Sequence, residues 1–192
     1  MSWFRDYLPD RQLVLDASAL INLLGCGAAG DVFKALTGPC LLEERVIAEI
    51  RRHPIPGLCH EKALSELEES GFVGRTKMDV TEYSHFLSLV QAPLGQRLDS
   101  GESASLAVAH NRSLTVVLDE NKARSFTANH LPRVTYVSTL CLFVSAAVRS
   151  GWSRSRLREL VTSARVNARM GVPREEGGLL ATVIEEVVAR GR

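Results

Sequence analysis

Four acidic residues stand in the sequence where an apolar segment ends or where a helix is expected to begin: Asp16, Glu49, Glu102 and Asp119. In an open parallel sheet the carboxyl ends of the strands border one crevice, so acids that follow different strands can converge. Carboxylates a few ångströms apart repel one another and burial adds to that cost, so such a group holds either protons or a cation. Oxygen ligands alone favour Mg²⁺ or Mn²⁺. The sequence therefore predicts one acidic, cation-binding pocket.

Two short apolar segments carry the first and the last of these acids. Asp16 follows Leu13–Leu15 and Asp119 follows Leu114–Leu118, and continuous apolar runs of this length are typical of strands in a buried parallel sheet. Helix-compatible residues come after each acid, so both segments predict a strand, a turn and a helix. Taken singly, each Asp is also an ordinary helix N-cap and each Glu an ordinary helix residue. Their joint arrangement favours a site.

The four acids lie in four blocks of sequence, at residues 15–21, 46–50, 99–107 and 118–124. The first block contains an Asp-x-Ser turn, the second a helical Glu, the third Gly-Glu-x-x-x-Leu-Ala and the fourth Asp-Glu-x-x-Ala-Arg. In this order the blocks resemble the PIN-domain family of metal-dependent nucleases, especially its bacterial toxin-like ribonucleases and predicted nucleic-acid-binding members. The resemblance covers roughly Leu13 to Gly151. It implies a three-layer α/β/α fold around a mostly parallel sheet, an Mg²⁺ or Mn²⁺ cofactor, and endonucleolytic hydrolysis of RNA.

The resemblance also implies roles for individual residues. Asp16, Glu102 and Asp119 would contact metal directly or through water, and Glu49 would hold a water molecule or a second ion. Many relatives carry a second Asp where this chain has Glu120, so Glu120 is a further candidate ligand. The residues expected to orient ligands or phosphate are Ser18, Asn121, Lys122 and Arg124, although a hydroxyl such as that of Ser18 serves equally well at a helix start.

Length and charge set broad limits on the class of protein. The chain has 192 residues, of which 45% are hydrophobic and 23% charged, and this predicts one domain with an ample core. A net charge of +1 creates no overall field that would attract nucleic acid, so contacts with phosphate must come from local basic patches. Such patches occur at Arg51–Arg52, at Lys122 with Arg124, and among the arginines of residues 149–169.

Residues 149–169 form a basic stripe that contains one acid, Glu159. Arginines four residues apart share a helical face, which would allow the stripe to line an RNA groove. A solvated helix face is the simpler interpretation, because exposed arginine is ordinary. A platform for base stacking is not predicted, since Trp152 alone lies near the stripe. The arginines of the stripe are Arg149, Arg154, Arg156, Arg158, Arg165 and Arg169.

The cysteines and the apolar segments bear on location. The four cysteines form no Cys-x-x-Cys pair and no secretory signal opens the chain, which favours reduced thiols in the cytoplasm. His53, Cys59 and His60 lie close together, but no second pair of ligands matches them, so zinc is not predicted. No apolar run approaches the roughly 20 residues of a membrane span.

Breaks in the pattern predict the organisation of the chain. Gly25–Gly27 ends the first helix and residues 53–57 end the second block. Helical periodicity then resumes through Ala63, Leu64 and Leu67, and we interpret this stretch as an inserted helical lid or arm. A helix is expected from Glu82 to Val90, a strand over residues 133–137 and an apolar helix over 140–148. We predict a PIN-like nuclease domain at 1–151 and a helical extension at 152–192 that packs on it.

The tail carries a wide apolar stripe that must be covered. We expect it to fold back on the domain, because Gly177 and Gly178 permit a tight turn. If it were exposed, a second copy of the chain or an antitoxin protein would cover it, as the resemblance to toxin-type relatives implies. The stripe consists of Leu179, Leu180, Val183, Ile184, Val187 and Val188.

Three functions fit these patterns to different degrees. The first is a metal-dependent endoribonuclease, the toxin of a toxin–antitoxin pair. The second is a nucleic-acid-binding or scaffold module that kept the fold and lost efficient chemistry. The third is a receiver-like signalling domain, which would need an adjacent pair of acids after the first strand; Leu15-Asp16-Ala17 lacks that pair.

Overall fold

The computed structural model of the chain describes residues 4–9, 11–36, 38–50, 59–93 and 95–185. Within these ranges, the strands are β1 (Leu13–Leu15), β2 (Cys40–Glu43), β3 (Val73–Thr76), β4 (Thr115–Val117) and β5 (Thr135–Val137). They form a parallel sheet in the order β3-β2-β1-β4-β5. The helices are α1 (Ala17–Gly25), α2 (Ala29–Lys34), α3 (Glu44–Ile50), α4 (His60–Glu69), α5 (Val80–Val90), α6 (Ser100–Arg112), α7 (Asn121–His130), α8 (Thr139–Ser150), α9 (Arg154–Asn167) and α10 (Gly177–Ile184), with a 3-10 turn at Arg174–Glu176 before α10.

The alternation of side chains along the strands produces two hydrophobic cores, one on each face of the sheet. Leu13 and Leu15 point into the core that contains residues of α1, α8 and α9. Val14 and Val116 point into the other core, which contains residues of α5 and α6. The result is the predicted three-layer α/β/α fold with a parallel central sheet.

The order of the strands places a topological switch in the middle of the sheet. The chain runs outward from β1 through β2 to β3, and then returns to the other side of β1 for β4 and β5. Val14 of β1 pairs with Leu41 on one side and with Val116 on the other. Crevices for ligands form where strand order reverses in this way. Asp16 and Asp119, which follow β1 and β4, both lie beside the switch.

The segment interpreted as an inserted lid is part of the layered fold, so that interpretation is wrong. Parallel strands need a long crossover connection, and α3 and α4 together supply the one between β2 and β3. Leu64 and Leu67 of α4 are buried in the core beneath β1 and α1. The break predicted at residues 53–57, and the basic pair Arg51–Arg52, lie outside the described residues.

The C-terminal helices pack against the rest of the molecule. α9 buries four apolar residues in the same core as β1, and Val183 of α10 is fully buried there. Leu179, Leu180 and Ile184 pack against that core, so the described part of the tail stripe folds back as expected. Val187 and Val188 lie outside the described residues. The division of the chain at residue 151 stays a prediction.

Most arginines of the basic stripe serve contacts within the molecule. Arg154 and Arg158 donate to the carbonyls of Thr182 and Glu185, and so attach α9 to α10. Arg149 forms an ion pair with Asp6 at 2.6 Å. Arg156 forms ion pairs with Asp31 at 3.2 Å and with Glu159 at 3.1 Å.

No helix among the described residues is both long and apolar enough to cross a membrane.

Candidate metal centre

Asp16 occupies the N-cap position of α1, but its side chain does not cap that helix. Its Oδ2 instead accepts a hydrogen bond from the Ser18 hydroxyl at 2.8 Å. The carboxyl group is almost completely buried. Burial, together with the nearby charges of Asp99 and Glu49, raises the pKa of Asp16 to about 7. Asp16 is thus a buried acid with acidic neighbours.

Glu102 forms a capping box with Asp99 at the start of α6. Its Oε2 accepts from the Asp99 backbone N–H at 3.1 Å, while the Asp99 side chain accepts from the Glu102 N–H at 2.9 Å. The other carboxylate oxygen of Glu102, Oε1, is buried and has no hydrogen-bond partner among the described residues. Burial and the charges of Asp99 and Asp16 raise the pKa of Glu102 to about 8. One oxygen of this carboxylate therefore takes part in the helix cap, and the other has no donor in the described part of the chain.

The fold contains a second capping box that shows how such a Glu is normally satisfied. At the start of α5, Glu82 makes the same reciprocal bonds with Asp79 and is equally buried. Here Arg112 donates to Oε1 at 2.6 Å and to Oε2 at 2.8 Å, and this hydrogen bonding lowers the pKa of Glu82. Glu102 has acids where Glu82 has a guanidinium. No basic side chain among the described residues pairs with Glu102 as Arg112 pairs with Glu82.

Gly101 allows an acid from another helix to approach this place. A Cβ atom at position 101 would lie 2.4 Å from Oε2 of Glu49 and 3.5 Å from Oδ1 of Asp16. The first distance is shorter than any ordinary contact, so a side chain here would displace Glu49. The glycine of the Gly-Glu motif therefore has a packing reason: it brings α3 and α6 together at their acidic residues.

Three acids lie close enough to share one ion. Asp99, Glu102 and Glu120 each offer a carboxylate oxygen, and these atoms lie within 4.8 Å of one another. Glu120 stands at the N-cap position of α7 without making a side-chain cap, so its carboxylate is not engaged by that helix. Asp99 was not predicted as a ligand. An acid three residues before Glu102 fits a capping-box pattern, so the sequence could have indicated that Asp99 lies beside Glu102, but not that it could bind metal.

Asp119 is positioned differently from the other acids. Its Oδ1 accepts from the Thr139 N–H at 2.7 Å, and its Oδ2 accepts from the Thr139 hydroxyl at 2.6 Å and from Nδ2 of Asn22 at 2.7 Å. Burial raises its pKa. These three donors fix the carboxylate between β4, α1 and α8. Asp119 does not belong to the group of three acids whose oxygens lie within 4.8 Å of one another.

A family model described as a PIN domain matches residues 12–163, which is more than half of the chain. The chain belongs to the PIN-domain family. The resemblance to the PIN-domain family inferred from the four blocks is thereby confirmed, as is the fold that it implied, whereas the toxin-like subtype stays a prediction. PIN domains are generally nucleases. No curated protein matches the chain.

In this PIN domain, a cleft of about 590 Å³ opens beside the acids. Part of its lining consists of residues that follow β1 and β4, among them Ser18, Asn22, Asp119 and Glu120. A second part of the lining comes from the segment after α9. It is made by Ala168, Arg169, Gly171 and Val172.

Two of the residues predicted to orient substrate, Asn121 and Lys122, line this cleft. Oδ1 of Asn121 accepts from the backbone N–H of Arg174 at 3.4 Å. The Lys122 ammonium donates to the carbonyl of Arg97. Both side chains therefore lie at the cleft with one contact inside the protein, and their roles toward substrate stay predictions.

Arg124 differs from the other predicted substrate contacts. It is buried, stacks over Tyr136 and donates to the Leu118 carbonyl at 3.0 Å. It also donates to Glu175 at 2.8 Å and to Glu176 at 3.1 Å. The guanidinium thus joins the end of β4 to the C-terminal segment, and its charge acts against the burial effect on the pKa of nearby Asp119. This arrangement gives it a structural role that the motif did not indicate.

Proposed function

We propose that this PIN domain is a metal-dependent endoribonuclease that hydrolyses RNA phosphodiester bonds with Mg²⁺ or Mn²⁺. The observation that carries the proposal is the buried Oε1 of Glu102, which has no donor among the described residues and is surrounded by acids. A buried polar atom without a partner is costly, and a cation would satisfy it.

The residues at this place fit a hard divalent cation. Asp99, Glu102 and Glu120 would hold it, since all are carboxylates and their oxygens converge. Asp16 and Glu49 would add negative charge or hydrogen bonds to water at its border, since they adjoin the group through Glu102 and Gly101. A bound divalent cation supplies Lewis acidity, which stabilises charge on phosphoryl oxygens and lowers the pKa of coordinated water.

The side chains of the protein would position the substrate and the acids. Ser18 holds one oxygen of Asp16, and Thr139 with Asn22 fixes both oxygens of Asp119. Carboxylates held in this way need little reorganisation when substrate binds. Lys122 supplies positive charge in the cleft wall for a phosphate.

We extend the proposal to the biological role on the resemblance to toxin-type relatives. In this proposal the protein is the toxin of a toxin–antitoxin pair in the cytoplasm, inhibited by a small antitoxin protein and able to form a homodimer. The free state of Cys26, Cys40, Cys59 and Cys141 supports a reducing compartment.

One observation favours a second candidate, a nucleic-acid-binding module with weak catalysis. Both oxygens of Asp119 already accept hydrogen bonds from protein donors. A carboxylate satisfied in this way contributes less to a metal site than one with a free oxygen. In this alternative the protein binds RNA and cuts it slowly, with or without Mg²⁺.

The test compares three purified proteins on total cellular RNA with Mg²⁺, Mn²⁺ or EDTA: wild type, Glu102→Gln and Glu82→Gln. Both substitutions keep a capping box, because Gln also serves at its third position. We expect the wild type and Glu82→Gln to cut RNA only with metal, and Glu102→Gln to be inactive. Equal cutting by all three would point to a contaminating nuclease and refute the site.

Metal binding is measured separately by calorimetric titration of Mn²⁺. Binding by the wild type and its loss in Glu102→Gln, without RNA cleavage by either, would move the conclusion to the weak or non-catalytic module. No binding by the wild type would reject the metal centre itself.

A further inference from the structure

Arg169 has a backbone conformation that an arginine rarely adopts. Its φ is +56°, in the left-handed region, directly after the end of α9 and the Ala168 cap. Chains commonly reverse direction there with a glycine, because a Cβ atom is disfavoured in that region. Met170 then donates back to the Ala164 carbonyl at 3.3 Å, which completes the turn. The turn needs this backbone conformation, but it does not need an arginine.

The side chain of Arg169 makes no polar contact that would stabilise the described part of the fold. Among the described residues, its guanidinium forms no hydrogen bond or ion pair. The neighbouring arginines Arg154, Arg156 and Arg158 all do. The predicted pairing of Arg165 and Arg169 on one helical face is wrong, because α9 ends at Asn167. A residue with unfavourable backbone geometry, whose side chain makes no hydrogen bond or ion pair with the described part of the chain, is a candidate for a function outside the fold.

Arg169 lines the same cleft as Asp119 and Glu120, and Glu120 belongs to the group of three acids that could hold a cation. A ligand that occupies the whole cleft therefore meets both carboxylates and a guanidinium. A phosphodiester chain has the matching chemistry, because its phosphates bind both a divalent cation and arginine.

The position of Arg169 is fixed relative to Asp16 by a helix. The side chain of Asn167 donates to the Gly25 carbonyl at 2.9 Å, and a Cβ at Gly25 would lie 2.5 Å from Cβ of Ala168. The end of α9 is thus packed tightly against the end of α1, whose other end begins after Asp16. Because α1 has nine residues and is about 13 Å long, the end of α9 that precedes Arg169 is held about one length of this helix from the first acid.

We propose that Arg169 binds a phosphate of the RNA that neighbours the scissile one. The inference rests on the proposed nuclease function, since it names how the substrate lies in that cleft. Arg169 lines the cleft with Glu120 but belongs to a different segment from the acids, so its guanidinium would bind a neighbouring phosphate and leave the scissile one to the acids and their cation. Arg169 is accordingly a binding residue that fixes the direction of the strand.

The experiment measures binding of a fluorescent single-stranded RNA by anisotropy at several salt concentrations, with Ca²⁺ to occupy the oxygen ligands and a gel to confirm intact RNA. The proteins are wild type, Arg169→Gly and Arg165→Ala. Arg165 is the matched control, because it is an exposed arginine of α9 that does not line the cleft. We expect Arg169→Gly to weaken binding roughly tenfold and to reduce the salt slope by about 0.7. We expect the control to change little.

The same variant separates function from stability. Glycine suits the left-handed turn, so Arg169→Gly should melt about 2–4 °C higher than wild type while it binds RNA less well. In cleavage assays it should raise KM and leave kcat nearly unchanged, because the contact is remote from the scissile bond.

The outcomes distinguish this inference from the nuclease proposal. Weaker RNA binding by Arg169→Gly supports the phosphate contact even if no variant cuts RNA. Cleavage by the wild type with unchanged affinity in Arg169→Gly would overturn the contact and leave the nuclease standing. An equal loss of affinity in Arg165→Ala would show that the loss comes from the removal of one positive charge and not from a contact at Arg169. That result would also overturn the contact. If no protein binds the RNA, the inference is refuted.

Discussion

Replacing Glu102 with Gln should stabilise the metal-free protein at neutral pH, whereas the same change at Glu82 should destabilise it. The two residues occupy the same position of two capping boxes and are equally buried. They differ in their neighbours, which are Arg112 for Glu82 and other acids for Glu102. Gln keeps the capping bond in both cases and removes only the charge.

The magnitude follows from the pKa of Glu102, which is raised from 4.5 to about 8. A group whose folded pKa lies above its unfolded value contributes stability below the unfolded pKa and loses it as pH rises toward the folded pKa. At pH 7.5, about three pH units above the unfolded pKa, most of that loss has occurred, and at about 1.4 kcal/mol per unit it is on the order of 4 kcal/mol. Glu102→Gln removes this loss. We expect an increase in melting temperature of about 8–16 °C at pH 7.5 and almost none at pH 4.

Thermal unfolding followed by circular dichroism in EDTA, between pH 4 and pH 8, measures both effects. Glu82→Gln is expected to lower stability by about 1–2 kcal/mol at pH 7.5, because it breaks a charged hydrogen bond of a buried group. If Glu102→Gln is folded but no more stable than wild type at pH 7.5, burial and the neighbouring acids do not raise the pKa of Glu102 as described. A similar shift in both variants would show that the charge environment of the two boxes is the same, which contradicts the structure.

Three further predictions follow from the same contacts. Mg²⁺ should raise the melting temperature of the wild type at pH 7.5 and leave Glu102→Gln unchanged, and an equal shift in both would place the ion elsewhere. Gly101→Ala should weaken Mn²⁺ binding in a calorimetric titration, because its Cβ would displace Glu49. Gly178→Ala, a helical site with nothing within 4 Å, is its control and should bind Mn²⁺ normally. Arg124→Met should destabilise the fold by about 2–4 kcal/mol and expose the C-terminal segment to limited proteolysis, since it leaves two glutamates without their cation; proteolysis at the wild-type rate would contradict the structural role of this arginine.

The ends of β1 and β4 were predictable because a few consecutive residues determine them. An apolar segment followed by an acid and a helix start marks a strand end in a parallel sheet, and β1 and β4 are of this kind. β2 was not predicted, because Cys40–Glu43 ends in a buried acid and is followed at once by helix. The helical segment around Leu64 was wrongly separated from the fold, since a break rich in proline and glycine resembles the border of an insertion.

Side-chain partners were harder to predict than elements. The motif identified Arg124 but could not show that Glu175 and Glu176, far along the chain, receive its hydrogen bonds. In the same way, Asp99 and Glu102 have an ordinary capping pattern in sequence. Only the three-dimensional structure shows that Glu82 accepts hydrogen bonds from an arginine and that Oε1 of Glu102 has no donor among the described residues.

The pairing of β1 with β4 sets the order in which the acids can meet during synthesis. Val14 pairs with Val116, so the long segment between them has to leave the ribosome before β1 and β4 can pair. Asp16 and Glu49 are synthesised before Glu102 and Asp119. A growing chain that contains only the first two acids cannot yet assemble the acidic cleft. If the protein cuts RNA as proposed, its acidic centre is complete only after most of the sequence has been translated.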